Sequence, residues 1–227
     1  MKTTIEDVLH NYIILVEMGR LSKYIMAIVA ALVHTGQSVH AQQTEQTEIT
    51  RAICEAARNA QTMQCDFSMT RKNKMLKDAA IMRGKMTMSQ PDCIYWECAE
   101  PKKIIFTTNG EKVRIIKDGK TSITDLNENR IFKRIKRLTS NGIGVDNLIK
   151  SENFSVTTSE TQTEWIVTLI PVRKELKQFL TALTLHADKK DAIVKKIELQ
   201  GKNGDSTTMV IENIKINGDT DASLFDF

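Results

Sequence analysis

Four cysteines, Cys54, Cys65, Cys93 and Cys98, and one histidine, His186, are the side chains beyond position 41 best suited to act as nucleophiles or soft metal ligands. Their spacing supports neither role. No Cys-x-x-Cys pair occurs, so neither a zinc ribbon nor a thioredoxin-like redox motif is present. A lone histidine removes most imidazole-based metal sites. The chain has no His-Glu-x-x-His, no Gly-x-x-x-x-Gly-Lys phosphate loop, no Gly-x-Ser-x-Gly elbow and no Gly-x-Gly-x-x-Gly fingerprint. His186 ends a strand pattern beside Ala187 and Asp188 and reads as a surface residue. Asp125 and Glu128 fall in turn-rich sequence and read as solvated carboxylates. The sequence therefore nominates no catalytic residue, no metal site and no cofactor. An enzymatic reading, as a lipid-modifying hydrolase, lacks a nucleophile motif.

Geometry limits the cysteines further. Cys93 and Cys98 in one straight strand lie about 16 Å apart, and Cys54 and Cys65 along one helix are similarly distant. A disulfide tolerates only ~4.4–6.8 Å between Cα atoms. Any bridge would join one of Cys54/Cys65 to one of Cys93/Cys98. Buried thiols packed as small apolar groups fit the pattern equally well.

The thioethers suggest a different chemistry, the solvation of an apolar ligand. Met82, Gly84, Met86 and Met88 share one strand parity, while Arg83, Lys85 and Thr87 share the other. Phe67 and Met69 precede them on an apolar face, and Ile94 and Trp96 follow. Later strands add Val113 and Ile115, then Trp165, Val167 and Leu169, then Ile193 and Ile197. Methionine is flexible and polarizable and adapts to variable apolar shapes. Such a face either fills a core against helices or lines a cavity.

The elements that would position these side chains are mostly strands. Ile49, Ile53, Ala56, Ala57, Ala60 and Met63 recur at helical spacing and predict a helix over 48–64, capped by Thr47 or Thr50. Gln42 to Thr47 reads as a polar, mobile start. After Gln64 the period becomes two, beginning with Cys65, Phe67 and Met69. Strands are expected near 80–89, 92–99, 103–108, 112–117, 121–126 and 130–135, and again near 153–158, 163–170, 178–186, 192–200 and 206–215. Asn109-Gly110, Asp118-Gly119, Asn203-Gly204 and Asn217-Gly218 supply the positive φ angles of tight hairpins. About a dozen strands with short connections make a large sheet, which must bury one face against something. Helical material is scarce: the helix above and the glycine-containing segment Lys136 to Lys150, read as a short helix or two with a flexible joint.

Whole-chain properties narrow the class. At 227 residues, 41% hydrophobic and 26% charged, the chain has the make-up of an ordinary globular protein, with length for one domain or at most two small ones. The first residues read as a leader: basic Arg20 and Lys23, an apolar run from Tyr24 to Val33, and small residues in Ser38-Val39-His40-Ala41 before Gln42. Met18 could instead be the start. Residues 1–41 are thus expected to be removed near Ala41/Gln42, leaving 42–227 as one domain. No cysteine follows the cleavage site, so a soluble, untethered periplasmic product is expected. The leader's basic and acidic residues balance, so the net charge of +4 stays with the remainder and is too slight to indicate nucleic acid. The basic cluster Lys133, Arg134, Lys136 and Arg137 reads as a solvated face, or else as a contact with a partner protein or anionic headgroups.

Over about 49–227 the chain resembles the periplasmic outer-membrane lipoprotein carriers of the Lol pathway. The likeness rests on an ordered series of fragments: Cys65-Asp66-Phe67-Ser68, Gly84 through Pro91, Tyr95-Trp96-Glu97, Glu100-Pro101 and Thr108 through Val113. Val167 through Pro171, Gly204 through Thr208, Asn213 through Asn217 and the ending Leu224-Phe225-Asp226-Phe227 continue it. The resemblance implies an α+β, mostly β protein. Its incomplete antiparallel barrel would have about eleven strands, closed by the N-terminal helix and lid helices. It implies a monomer that takes acylated lipoproteins from an inner-membrane lipoprotein-releasing transporter and passes them to an outer-membrane receptor. Acyl chains would lie in a cavity lined by Ala57, Phe67, Met69, Met86, Met88, Trp96, Ile149 and Ile197. The family's basic residue before the motif proline, which hydrogen-bonds the lid shut in the empty state, is replaced here by Gln90. A neutral amide makes a weaker latch. The same pattern would also suit a lipid- or partner-sensing regulatory domain on this fold, or a filled β-domain with a protein-binding surface.

Overall fold

The computed structural model describes residues 43–72, 79–125, 149 and 153–227. The leader, the strand expected at 130–135, the basic cluster and, apart from Ile149, the segment 136–150 lie outside the described residues.

Helix α1 spans Gln43–Asn59. It begins and ends earlier than the expected 48–64. Gln43 to Thr47 are helical rather than a mobile start, because the glutamines and Glu45 are good helix formers. Thr47 and Thr50 therefore lie inside the helix and not at its cap. Its C-terminal end is set by long-range partners. The Asn217 side chain accepts from the Gln61 backbone N–H at 2.7 Å and donates to the Asn59 carbonyl at 3.0 Å. The chain then extends at once into β1, so Met63 is a strand residue.

The strands are β1 (Thr62–Lys72), β2 (Ala80–Ser89), β3 (Cys93–Glu100), β4 (Ile104–Asn109), β5 (Lys112–Lys117) and β6 (Lys120–Asp125). Further along come β7 (Phe154–Glu160), β8 (Glu164–Pro171), the one-turn helix α2 (Lys174–Lys177), β9 (Leu180–Asp188), β10 (Val194–Gly201) and β11 (Ser206–Ile216). They form one sheet in the order β6-β5-β4-β3-β2-β1-β11-β10-β9-β8-β7, every neighbour antiparallel. Two meanders are thus joined by the β1–β11 pair, with β6 and β7 as the outermost strands. This is the expected eleven-stranded, incomplete barrel.

Turn chemistry behaves as the residue types dictate, with one correction. Gly110, Asp118, Gly119 and Gly204 take positive φ in hairpins. Asn217 is also left-handed (φ 55°), but Asn217-Gly218 turns no hairpin. It ends β11, caps α1 and leads into the 3₁₀ turn Ala222–Phe225. Asn213 (φ 53°) forms a bulge opposite Gln64 and Asp66. The bulge switches the buried parity of β11 from Met209 and Ile211 to Ile214 and Ile216.

The face of the sheet that carries α1, the inner face, holds two apolar clusters. In the first, Ile49, Ile53 and Cys54 of α1 and Ile149 pack on Val167, Leu169, Leu183, Leu185 and Leu199. In the second, Cys65, Phe67, Met69, Met86, Met209 and Ile211 are buried together. Ile197 touches both. On the outer face the C-terminal tail is strapped down. Arg114 donates to the Leu224 and Asp226 carbonyls at 2.9 and 3.2 Å, and its guanidinium lies 4.4 Å from the centre of the Phe227 ring.

Candidate ligand-binding face

Cross-strand register builds the second cluster from the sequence upward. Met209, Met69 and Met82 are direct neighbours across β11, β1 and β2. Met63 faces Met88, and Cys65 faces Met86, which in turn faces Trp96. Facing residues of an antiparallel pair have Cβ atoms about 4.5–5.5 Å apart, so these rows form a continuous thioether surface. Phe67 is opposite Gly84, where a Cβ would sit 1.8 Å from the Glu97 carbonyl oxygen. The missing side chain lets the β3 backbone approach β2 closely, and the Phe67 ring meets Trp96 on β3 with centroids 4.5 Å apart and planes tilted by 46°.

The expected lining residues separate. Phe67, Met69, Met86, Met88, Trp96 and Ile197 come together in the methionine-rich cluster. Ile149 is buried in the other cluster, against α1 and the β7–β9 side of the sheet. Ala57 is half-buried on α1, and its link to the expected site is its carbonyl oxygen, which accepts from Gln90 at 3.4 Å. Met63, Met209 and Ile211 complete the cluster, and local sequence pattern does not single them out. Only the register shows that β11 lies beside β1. The cluster thins toward β5: Ile94, Trp96, Ile104, Phe106 and Ile115, all of inner parity, are half-buried.

Gln90 lies in the β2–β3 turn. Its amide nitrogen donates to the carbonyls of Ala60, Arg58 and Ala57 at 2.9, 3.3 and 3.4 Å. These are acceptors at the C-terminal end of α1, where helix carbonyls lack intrahelical partners. Beside that end is a groove of about 530 Å³ between Ala56 and Asn59 of α1, the β9–β10 turn at Asp191, and β11 at Ile211, Ile214 and Ile216. None of the expected lining residues borders it. Two of its walls, Ile211 and Ile214, are nevertheless members of the methionine-rich cluster, so the groove leads onto that surface.

The two clusters carry no charge and little reactivity. Both clusters consist of apolar side chains and thiols. Burial, with Asp66 adding, pushes the Cys65 thiol up to about 11, and burial also raises Cys93 and Cys98. Such thiols stay protonated and inert near neutral pH. No disulfide joins the four cysteines. His186 is not the surface residue expected. It is buried on the outer face of β9, with Nδ1 3.2 Å from Glu164 and Nε2 3.6 Å from Glu198. Among the described residues no cluster of His, Cys, Asp or Glu is placed to hold a metal, and no helix is long and apolar enough to cross a membrane.

An apolar inner face on an unclosed barrel is the architecture of a lipid-binding, carrier-type domain. The family model of the outer membrane lipoprotein carrier protein LolA matches residues 58–227, and the chain belongs to that family. The family is one of periplasmic binding and carrier proteins rather than enzymes. No protein of curated function matches the chain. Among solved structures, an uncharacterized conserved protein from Thermus thermophilus shares the fold with TM-score 0.51 at 9% identity, over 80% of this chain and 93% of that one. A LolA-superfamily protein from Nitrosomonas europaea aligns with TM-score 0.42 at 9% identity, covering 80% and 97%. The Mycobacterium tuberculosis lipoprotein LppX aligns with TM-score 0.47 at 11% identity, covering 78% and 98%.

Proposed function

We propose that the chain is exported through its leader, cleaved near Ala41/Gln42, and acts as a monomeric periplasmic carrier of acylated lipoproteins. It receives them from an inner-membrane releasing transporter and delivers them to an outer-membrane receptor. Acyl chains occupy the methionine-rich half of the inner face. One observation carries this proposal: α1 buries its apolar residues on the β7–β10 half of the inner face, while the half built by β1–β5 keeps Met82, Met88, Ile94, Trp96 and Phe106 half-exposed. Each methylene moved from water onto that surface contributes about 0.8 kcal/mol. A single long acyl chain therefore offsets the loss of several lid contacts. Ile149 closes the site from the other half, and Gln90 acts as a latch through its hold on the end of α1.

Purification of the protein from periplasm, with mass spectrometry of what accompanies it, is expected to recover triacylated lipoproteins. Recovery of a regulatory protein without acyl groups would favour a sensing role. The purified Ile149→Asp variant is expected to bind an apolar fluorescent probe at least about tenfold more weakly, since it places an unpaired carboxylate in the apolar closure. Unchanged affinity in a folded variant would remove Ile149 from the site.

A further inference from the structure

Antiparallel order puts the C-terminal ends of β1, β3, β5, β8 and β10 on one rim of the barrel, with the N-terminal ends of β2, β4, β6, β9 and β11. Five large apolar residues are conspicuously exposed among the described residues: Ile81, Ile123, Ile170, Val172 and Phe179. All but Ile123 lie at or near this rim. Val172 and Phe179 flank α2 and are 51% and 52% exposed, and Ile170, next to last in β8, is 46% exposed. Each leaves apolar surface in water, and their gathering at one end of the molecule is what an interaction surface shows.

Among the described side chains, the unpaired charge at the same rim is basic. Arg173, Lys174 and Lys177 are exposed on α2 between the two apolar residues. Lys202, also exposed, adjoins them through its backbone N–H, which donates to the Phe179 carbonyl at 3.3 Å. Lys72 and Lys102 extend the basic edge along the β1–β2 and β3–β4 turns. Among the described side chains, the exposed carboxylates there are matched: Glu100 lies 3.1 Å from Arg83, and Asp118 lies 3.9 Å from Lys117. The opposite rim is different, with exposed Glu111, Glu160, Asp219 and Asp221 beside Lys112 and Lys190.

We infer that the α2 rim is a membrane-docking edge, which inserts Ile170, Val172 and Phe179 at the headgroup boundary of an anionic bilayer while Arg173, Lys174, Lys177 and Lys202 engage lipid phosphates. Exposed apolar residues alternate with cations along this edge, an arrangement that would require close shape complementarity of a folded partner. A bilayer asks for none. It accepts shallow apolar side chains, lets lysine and arginine stems lie along the acyl boundary, and attracts their charges. The inference is independent of what the inner face holds.

The test is sedimentation of the exported protein with protein-free vesicles of phosphatidylcholine, alone or with phosphatidylglycerol. Binding is expected to be at least about tenfold stronger with phosphatidylglycerol and to fall as salt screens the exposed charges. Lys174→Glu with Lys177→Glu is expected to abolish it, and Val172→Ser with Phe179→Ser to weaken it severalfold. Lys190→Glu on the opposite rim should leave it unchanged. These exposed positions let the variants fold, and each is expected to keep wild-type affinity for an apolar probe, which separates docking from ligand binding. Equal binding to both vesicle types, or equal loss in Lys190→Glu, overturns the inference. So does binding confined to native inner-membrane vesicles and lost on protease treatment, which would assign the rim to a protein partner.

Discussion

At the scale of single residues, the proposed latch rests on Gln90. Three carbonyls at the end of α1 share one neutral amide. Such a hydrogen bond contributes about 0.5–1.5 kcal/mol net, and charge assistance roughly doubles it. If opening of the inner face requires α1 to leave the β2–β3 turn, Gln90→Ala shifts the population toward the open state. Apolar-probe affinity should then rise by about fivefold, the equivalent of roughly 1 kcal/mol. Gln90→Arg should lower it. Probe titrations of both variants check the sign, and a change in the same direction for both would disconnect Gln90 from gating. The identity of position 90 was legible in sequence, as was its place before Pro91. Its acceptors were not, because the residues that receive its amide are some thirty positions earlier and their meeting depends on how α1 lies across the sheet.

At the scale of elements, the end of α1 shows where sequence reasoning gives out. Apolar periodicity continues through Ala60 and Met63, so a helix to 64 satisfies the local pattern. The structure stops it at Asn59 because Thr62 pairs with Ser89, the Thr62 hydroxyl donates to the Gly218 carbonyl at 2.9 Å, and Asn217 caps the turn. Asn217→Ala should destabilise the fold by about 1–2 kcal/mol, because it leaves the Gln61 N–H and the Asn59 carbonyl without this partner. Thermal or denaturant unfolding measures that directly, and a loss within error would show that water replaces the amide. The strands were far more legible. Alternation and Asn-Gly or Asp-Gly turns placed most of them within a residue or two. Local pattern could not show that β1 pairs with β11, and with that pair unknown the Met209–Met69–Met82 row could not be read.

At the scale of the whole molecule, the two halves of the inner face are built from different material. The half beneath α1 is packed with leucine, isoleucine and valine, whose branched chains hold fixed shapes. The other is packed with methionine, whose thioether rotates at little cost. One sheet thus combines a permanent core with a compliant surface. Composition indicated the compliant surface from Met82, Met86 and Met88, but it could not say which half of the sheet the helix would occupy.

The rows of sulfur also expose the protein to a hazard that an aliphatic lining would escape. Hydrogen peroxide transfers one oxygen to a methionine thioether, giving the sulfoxide and water, and half-buried Met63, Met82 and Met88 are more open to it than buried Met69, Met86 and Met209. Each sulfoxide sets a strong dipole among side chains chosen for greasiness, while the leucine-packed half keeps the barrel standing. Peroxide-treated protein should therefore retain its β-sheet circular dichroism yet shed its affinity for hydrocarbon, and methionine sulfoxide reductase should restore it.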